Sequence, residues 1–491
     1  MKVFKGYEFW FITGSQHLYG EEVLKQVEAN SRAVVSGIDG SDIVPGRIVF
    51  KMVAKTAEDI VKICKEANFD DKCAGIITWC HTFSPSKMWI TGLKNLNKPW
   101  LQLHTQFNEK IPADSIDMDF MNLNQAAHGD REHGFIGTRL RMPRKIVVGF
   151  WQNEDVLAGI GSWMRSAVGI AVSRGLKVVR FGDNMRQVAV TEGDKVEAEI
   201  VMGWSVNSYG VGDLAAYVAD VTEEETDGKM AEYAALYDMD TDNLAAVRYQ
   251  ARVQVAMEKF LEKTGAGAFT TSFEDLHGLE QLPGLACQDL MRKGYCFGGE
   301  GDWKTAAMGH IMKRMAEGID AGTSFMEDYT YDLSIDDGLV LGAHMLEICP
   351  SIAKDRPRIQ AKPLSIGGKD DPAWLVFEGQ SGPAILASLI DMGDRLRLIV
   401  NDVECVQPPH MPKLPVAATM WKPLPNLAVS AEAWMRAGGA HHSILSFALT
   451  AEHMRDFAET MGIEFVHIHK DICIQDFKRD LFLADAVWKL C

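Results

Sequence analysis

The chain has no CxxC cysteine pair, no basic excess, no apolar run long enough to span a bilayer, no internal repeat and no low-complexity segment. Its nine cysteines are scattered and odd in number, which argues against a disulfide framework and against the thiolate pairs of a structural zinc site. Structural thiols are expected. Acidic residues outnumber basic ones to a formal net charge of −17, and nucleic acid or an anionic membrane surface would need the basic footprint that is missing. The opening stretch MKVFKGYEFWFITGSQ has neither an extended apolar core nor a small-residue cleavage site, so a cytoplasmic protein is expected.

What is present is a globular composition, 47% hydrophobic and 24% charged, in a chain of 491 residues. That length exceeds one ordinary core and predicts about two to four domains. From Tyr7 to His104 strand-like and helix-like segments alternate: strands at Tyr7–Thr13, Arg47–Val53, Gly75–Cys80 and Trp100–His104, helices at Glu22–Ser36, Ala57–Ala67 and Ser84–Leu96. Such alternation is the signature of a parallel sheet covered by helices, whose ligand-binding loops follow the strand ends. Gln16, His17 and His81 fall at those ends.

A second α/β unit begins with strand Lys145–Phe150, helix Asp155–Ser173 and strand Lys177–Phe181, and continues with helix Asn243–Lys263 and strand Phe269–Phe273. Gly159 and Gly161 do not make a dinucleotide fingerprint, because they lie inside the helix and Met164 stands where the third glycine belongs. Close helix packing is their expected role. After Gly322 the pattern changes to short strands separated by turns, among them Leu339–Ile348 and Ala384–Met392, which predicts a mostly β domain, barrel-like, with helices near the C-terminus.

Four residues suited to a metal stand in segments of unusual local chemistry: Glu300 in GGEGDWKTA, Glu327 in SFMEDYTYD, His344 in LVLGAHMLEICP and His442 in AGGAHHSIL. Two carboxylates with two imidazoles suit a manganese-, cobalt- or magnesium-like ion better than a tetrahedral structural zinc. Asp302 reads as the N-cap of a helix running to Met315, and glycines on both sides of Glu300 allow a ligand to approach the backbone. On the residues alone, other readings stay open. His344 could be a core histidine bonded to a carbonyl, and His441 and His442 exposed loop histidines.

The chain resembles the L-arabinose isomerase family over essentially its whole length. The resemblance runs through EFWFITGSQHLYG, CAGIITWCHTFSPSKMWI, HTQFN, DSIDMDFMNLNQAAHGDREHGFIG, VVRFGDNMRQVAVTEGDKV, FTTSFEDLHGLEQLPGLA and the GEGDWKTA, TSFMEDYTY and IGGKDDPA blocks, in order. It implies two Rossmann-like parallel-sheet domains, 1–176 and 177–320, followed by a mostly β domain, 321–491. It implies that Glu300, Glu327, His344 and His442 bind a catalytic metal, usually manganese, with cobalt or another divalent ion as substitutes. Glu300 and Glu327 would also be the acid and base of an aldose–ketose isomerisation.

The sugar contacts implied by the same resemblance are Gln16, Leu18, His128, Met185, Phe273, Tyr329, Ile366 and His441. So is a homohexamer whose active sites are shared between subunits. The block GDREHGFIG departs from the family pattern, carrying His133 where an aromatic residue is expected. The alternatives are a related ketol isomerase acting on fucose or another sugar, a metal-dependent hydrolase or oxygenase, and a non-catalytic sugar-binding protein.

Overall fold

A computed structural model describes residues 2–364 and 368–490, so Ile366 lies outside the described residues. The chain divides into two compact units, Met1–Ala171 with Arg455–Thr460, and Val172–Met454 with Met461–Cys491.

The first unit is built on a parallel sheet of five strands, β1 (Glu8–Gly14), β2 (Arg47–Ala54), β3 (Cys73–Cys80), β4 (Trp100–His104) and β5 (Lys145–Val148), in the order β2-β1-β3-β4-β5. Helix Ala57–Phe69 shows why its residues fold as they do. Thr56 caps it in a capping box with Asp59, and Ile60, Ile63, Cys64 and Ala67 recur at helical spacing on the buried face. They pack into a core with Trp10, Ile12, Ile76, Trp89 and Trp100. The expected helix Ser84–Leu96 is broken into a 3₁₀ turn, Ser86–Trp89, and a short helix, Ile90–Lys94.

Helix Glu154–Ser173 corrects one reading of the sequence, since by length and composition it is apolar enough to cross a membrane. Two thirds of its apolar window, 67%, is buried within the protein, as expected of a core helix. Trp163 packs 5.5 Å from Phe9 of β1, and a side chain at Gly161 would meet the Ile43 carbonyl at 3.0 Å, the close packing expected of that glycine.

His133 replaces the expected aromatic residue by acting as one. It is fully buried, edge-on to Trp89 at 4.6 Å and Trp100 at 5.2 Å, with Nε2 3.1 Å from the Thr78 hydroxyl. Burial, with Arg144 nearby, pushes its pKa down to about 3. The unfolded chain therefore takes up a proton below pH 6.5 that the folded chain refuses until about pH 3, and stability falls as the pH drops through that window. This residue alone is expected to remove about 2 kcal/mol between pH 7 and pH 5. Urea titrations at both pH values should show that loss diminished in His133→Phe; an equal loss in variant and wild type would refute the assignment.

The second unit holds a parallel sheet and a barrel. The sheet contains β6 (Lys177–Phe181), β7 (Ser205–Tyr209), β9 (Ala268–Thr271) and β10 (Cys296–Gly298), in the order β10-β9-β6-β7. A short β8 (Asp238–Met239) pairs instead with β13 (Arg358–Ala361), which pairs with β14 (Ala373–Val376).

The remaining strands are β11 (Thr323–Asp332), β12 (Leu339–Ala343), β15 (Gly382–Asp391), β16 (Leu396–Val406), β17 (Ala418–Pro423), β18 (His442–Ser446) and β19 (Glu464–Ile468). They run in the order β15-β18-β11-β12-β17-β16-β19, and a further pairing of β15 with β16 closes the antiparallel part into a ring. The barrel-like expectation for this region is met. The sequence reading did not foresee β11, β17, β18 or β19. It also ran β12 on to Ile348, whereas the strand stops at Ala343 and His344 stands just beyond it.

Helix Trp303–Met315 touches both β9 and β10 of the parallel sheet and β11, β15 and β18 of the barrel. A helix packed on two sides must be apolar nearly all round, and ten of its thirteen residues are buried. It starts where the candidate site lies.

Candidate metal centre and sugar-contact residues

β10 ends at Gly298, and the chain turns through Gly299–Gly301 before Asp302 caps helix Trp303–Met315 by accepting from the Thr305 N–H. Glu300 sits at φ 58°, ψ 26°, the left-handed region that side chains avoid, at a cost of about 1–3 kcal/mol that the surroundings must offset. The loop after β6 supplies the support. The Met185 N–H donates to the Glu300 carbonyl at 2.9 Å, and Asn184 Nδ2 donates to the Gly301 carbonyl at 3.2 Å. Gly301 itself has φ 80°, and a side chain there would meet the Asn184 Cα at 2.6 Å. Glycine on that side of Glu300 is a steric requirement.

The barrel provides the opposing face. In the β11–β18 pairing Glu327 lies directly opposite His442, and Phe325 opposite Ile444, so Glu327, His442 and Phe325 share one face of the sheet. The Phe325 ring stands edge-on to His344 and to His442, each at 5.0 Å, which seats both imidazoles against an apolar wall. The two imidazoles are 6.0 Å apart. Gly299 clears the space in front of His344: a Cβ there would lie 3.2 Å from His344 Nε2.

His441 Nε2 donates to Glu300 Oε2 at 3.2 Å, while His442 Nε2 lies 3.9 Å from the same oxygen, beyond hydrogen-bond range. Among the described residues, donor atoms of Glu300, His441 and His442 all fall within 4.8 Å of one another. His441, a sugar contact by resemblance, is thus the third member of that group, whereas Glu327 on β11 and His344 just past the end of β12 are not among its donors. His442 is fully buried, yet among the described residues its Nε2 has no hydrogen-bond partner. A buried imidazole nitrogen left free beside a carboxylate is what a metal ligand looks like before the ion is counted. The mixed oxygen and nitrogen donors fit a divalent metal ion.

The electrostatics agree. The hydrogen bond from His441 holds the Glu300 carboxyl below its ordinary range, and the same bond raises the His441 pKa. Burial alone would raise Asp302, but Lys304 and the hydrogen bond from His442 overcome it and hold the carboxyl at about 2. Burial opposes the charging of His344, yet Glu347 beside it raises its pKa.

The other expected contacts divide between the two units. In the second unit the Phe273 ring lies nearly parallel to His344 at 6.1 Å, and Met185 touches the Glu300 turn through its backbone. Tyr329 and His344 both line a largely apolar cavity of about 190 Å³, with Trp374 and Leu364. In the first unit Gln16 Nε2 donates to the Phe83 carbonyl at 3.2 Å, His128 stacks on Phe83 at 5.3 Å, and Leu18 is 81% exposed. Gln125 Oε1 accepts from the Tyr19 hydroxyl at 2.6 Å and the Phe83 N–H at 3.2 Å, tying these residues into one cluster at the ends of β1 and β3.

Sequence reasoning missed Tyr19, Phe83, Gln125 and Glu347, and saw Asp302 only as a cap. Glu347 alone carried a local signal, the three-residue spacing of HMLE.

Comparison with known proteins places the chain among the aldose–ketose isomerases. Three family models match it in succession: the L-arabinose isomerase N-terminal domain over residues 3–175, the central domain over 177–318 and the C-terminal domain over 322–464. The chain belongs to the L-arabinose isomerase family. It is 58% identical to the L-arabinose isomerase of Anoxybacillus flavithermus over 99% of each chain, and 58% identical to that of Geobacillus stearothermophilus over 98% of each. To the L-arabinose isomerase of Clostridium beijerinckii it is 56% identical over 99% of each chain.

Proposed function

We propose that this protein interconverts L-arabinose and L-ribulose through an enediol, with a divalent metal, manganese by preference, held by Glu300, Glu327, His344 and His442. The carrying observation is the convergence of Glu300, His441 and His442 around an unpartnered buried Nε2, in a chain that matches its relatives from end to end. A bound ion would supply Lewis-acid polarisation of adjacent sugar oxygens.

The chain's own groups do the proton work. One proton leaves C2, one arrives at C1, and a hydroxyl proton passes from O2 to O1, so the aldose and ketose balance without a redox partner. His441 donates to Glu300 and holds its carboxyl below its ordinary range, favouring the carboxylate, the form that accepts a proton. Glu327, opposite His442 across the β11–β18 pair, is the second carboxyl, and the two serve as acid and base in turn. Phe325 and Phe273 exclude water from the histidine side.

Gln16 and His128 serve a site whose metal ligands come from a neighbouring subunit of a cytoplasmic homohexamer, and Leu18, Met185, Phe273, Tyr329, Ile366 and His441 are its further sugar contacts. D-galactose, with one hydroxymethyl group more, is a further substrate, converted to D-tagatose.

Metal-stripped protein incubated with L-arabinose should form ketose only after Mn²⁺ is restored. Equal ketose formation with and without the ion would refute the metal-dependent reading, and none under any divalent ion would refute the substrate.

A further inference from the structure

We infer that Asp302 and Glu347 are positioning residues of this centre: each accepts the Nδ1–H of one histidine, His442 and His344 respectively, and so presents that ring's Nε2 to the Glu300 turn. The inference rests on the metal-isomerase reading above. Neither carboxylate belongs to the donor group, and both are all but closed to solvent, at 1% exposure. Carboxylates buried to that depth persist only where they are paired and hydrogen-bonded.

The geometry at each histidine is the same. Asp302 Oδ2 lies 3.2 Å from His442 Nδ1, and Glu347 Oε2 lies 2.6 Å from His344 Nδ1. A neutral imidazole has one donor and one acceptor nitrogen, so a proton committed at Nδ1 leaves Nε2 as the free lone pair. That nitrogen is the one found without a partner on His442, and the one that Gly299 makes room for on His344. Tautomer and ring orientation are thereby set before any ion arrives.

The two carboxylates are anchored differently. Asp302 also accepts from the Thr305 hydroxyl at 2.7 Å and the Thr305 N–H at 3.2 Å, with the Lys304 ammonium at 3.7 Å, so its charge is shared and His442 is tied to the start of a buried helix. Among the described residues, Glu347 has only the Leu346 N–H at 3.2 Å besides His344. Its charge falls mainly on one imidazole, so Glu347 strengthens His344 as a donor while Asp302 mainly fixes where His442 points.

The test uses the full chain stripped of metal, with Mn²⁺ affinity measured by calorimetry and the absorption spectrum recorded after Co²⁺ loading. Asp302→Ala and Glu347→Ala should each weaken Mn²⁺ binding by about 10–100-fold. Asp302→Asn and Glu347→Gln, which still accept the Nδ1–H, should recover part of that loss, and Glu347→Gln should shift the Co²⁺ bands more than Asp302→Asn.

Should the alanine variants fail to fold, the amide variants carry the test through the Co²⁺ spectrum. Folded variants with wild-type Mn²⁺ affinity and an unchanged Co²⁺ spectrum would overturn the inference while leaving the metal-isomerase reading intact. Failure of the wild-type chain itself to bind Mn²⁺ or Co²⁺ would overturn both.

Discussion

Glu300→Gln should lower kcat for L-arabinose by at least about 10²-fold and by up to about 10⁴-fold, the range a positioned acid or base supplies. The amide keeps the size of the side chain and can still accept the hydrogen bond from His441 Nε2, so the turn between Gly299 and Gly301 has no reason to rearrange. What it loses is the negative charge and the basicity. Loss of charge also weakens the hold of the donor group on a cation, so Mn²⁺ affinity should fall together with kcat. Turnover measured at saturating Mn²⁺ separates the two effects. A variant that keeps most of its turnover there would remove Glu300 from the proton path and leave it only a ligand. Glu327→Gln should show the same order of loss.

Lys304→Met is expected to destabilise the fold by about 3–5 kcal/mol, the cost of leaving one member of a buried ion pair without its partner. Lys304 and Asp302 are each 1% exposed, with Nζ 3.7 Å from the carboxylate. The ammonium also donates to the carbonyls of Thr191 at 2.9 Å and Glu192 at 2.5 Å, so it pins the loop after β6 to the first turn of helix Trp303–Met315. Methionine fills the same length with no charge and no donors. It leaves Asp302 to the Thr305 and His442 hydrogen bonds and the Thr191 carbonyl to Asn184 Nδ2 at 2.6 Å, and it takes the ammonium away from the Glu192 carbonyl.

Urea unfolding at neutral pH checks the magnitude. A loss below about 1 kcal/mol, the range of an exposed pair, would show that water reaches Asp302 and that the pair is not a buried one.

How much of this could be read from residues depends on how local the cause is. Helix Trp303–Met315 was legible because its cap, Asp302, and its apolar residues sit in one stretch of chain. Strands β1 to β4 were legible because a parallel strand covered on both faces is nearly continuously apolar, as in CAGIITWC. β11 was not, because only its first half is buried, and its second half, EDYTYD, carries the acidic and exposed residues of a strand leaving the core. The run Leu339–Ile348 stays apolar past the end of β12 because the loop after it is buried too, which hydrophobicity cannot distinguish from more strand.

By itself the sequence determined the class of chain, the strand and helix alternation behind β1 to β4, and through its ordered motifs the family and the residues to inspect, although it assigned β5 to the second unit where the structure pairs it with β4 of the first. Tertiary structure alone decided which of them meet. Glu300 and His441 are 141 positions apart in the chain, and Asp302 and His442 are 140 apart. Their contact depends on the β11–β18 pairing and on a helix packed between sheet and barrel. The pairing of each histidine with its carboxylate, and the nitrogen left free on His442, follow from that packing, because burial is what forces every polar atom to find a partner.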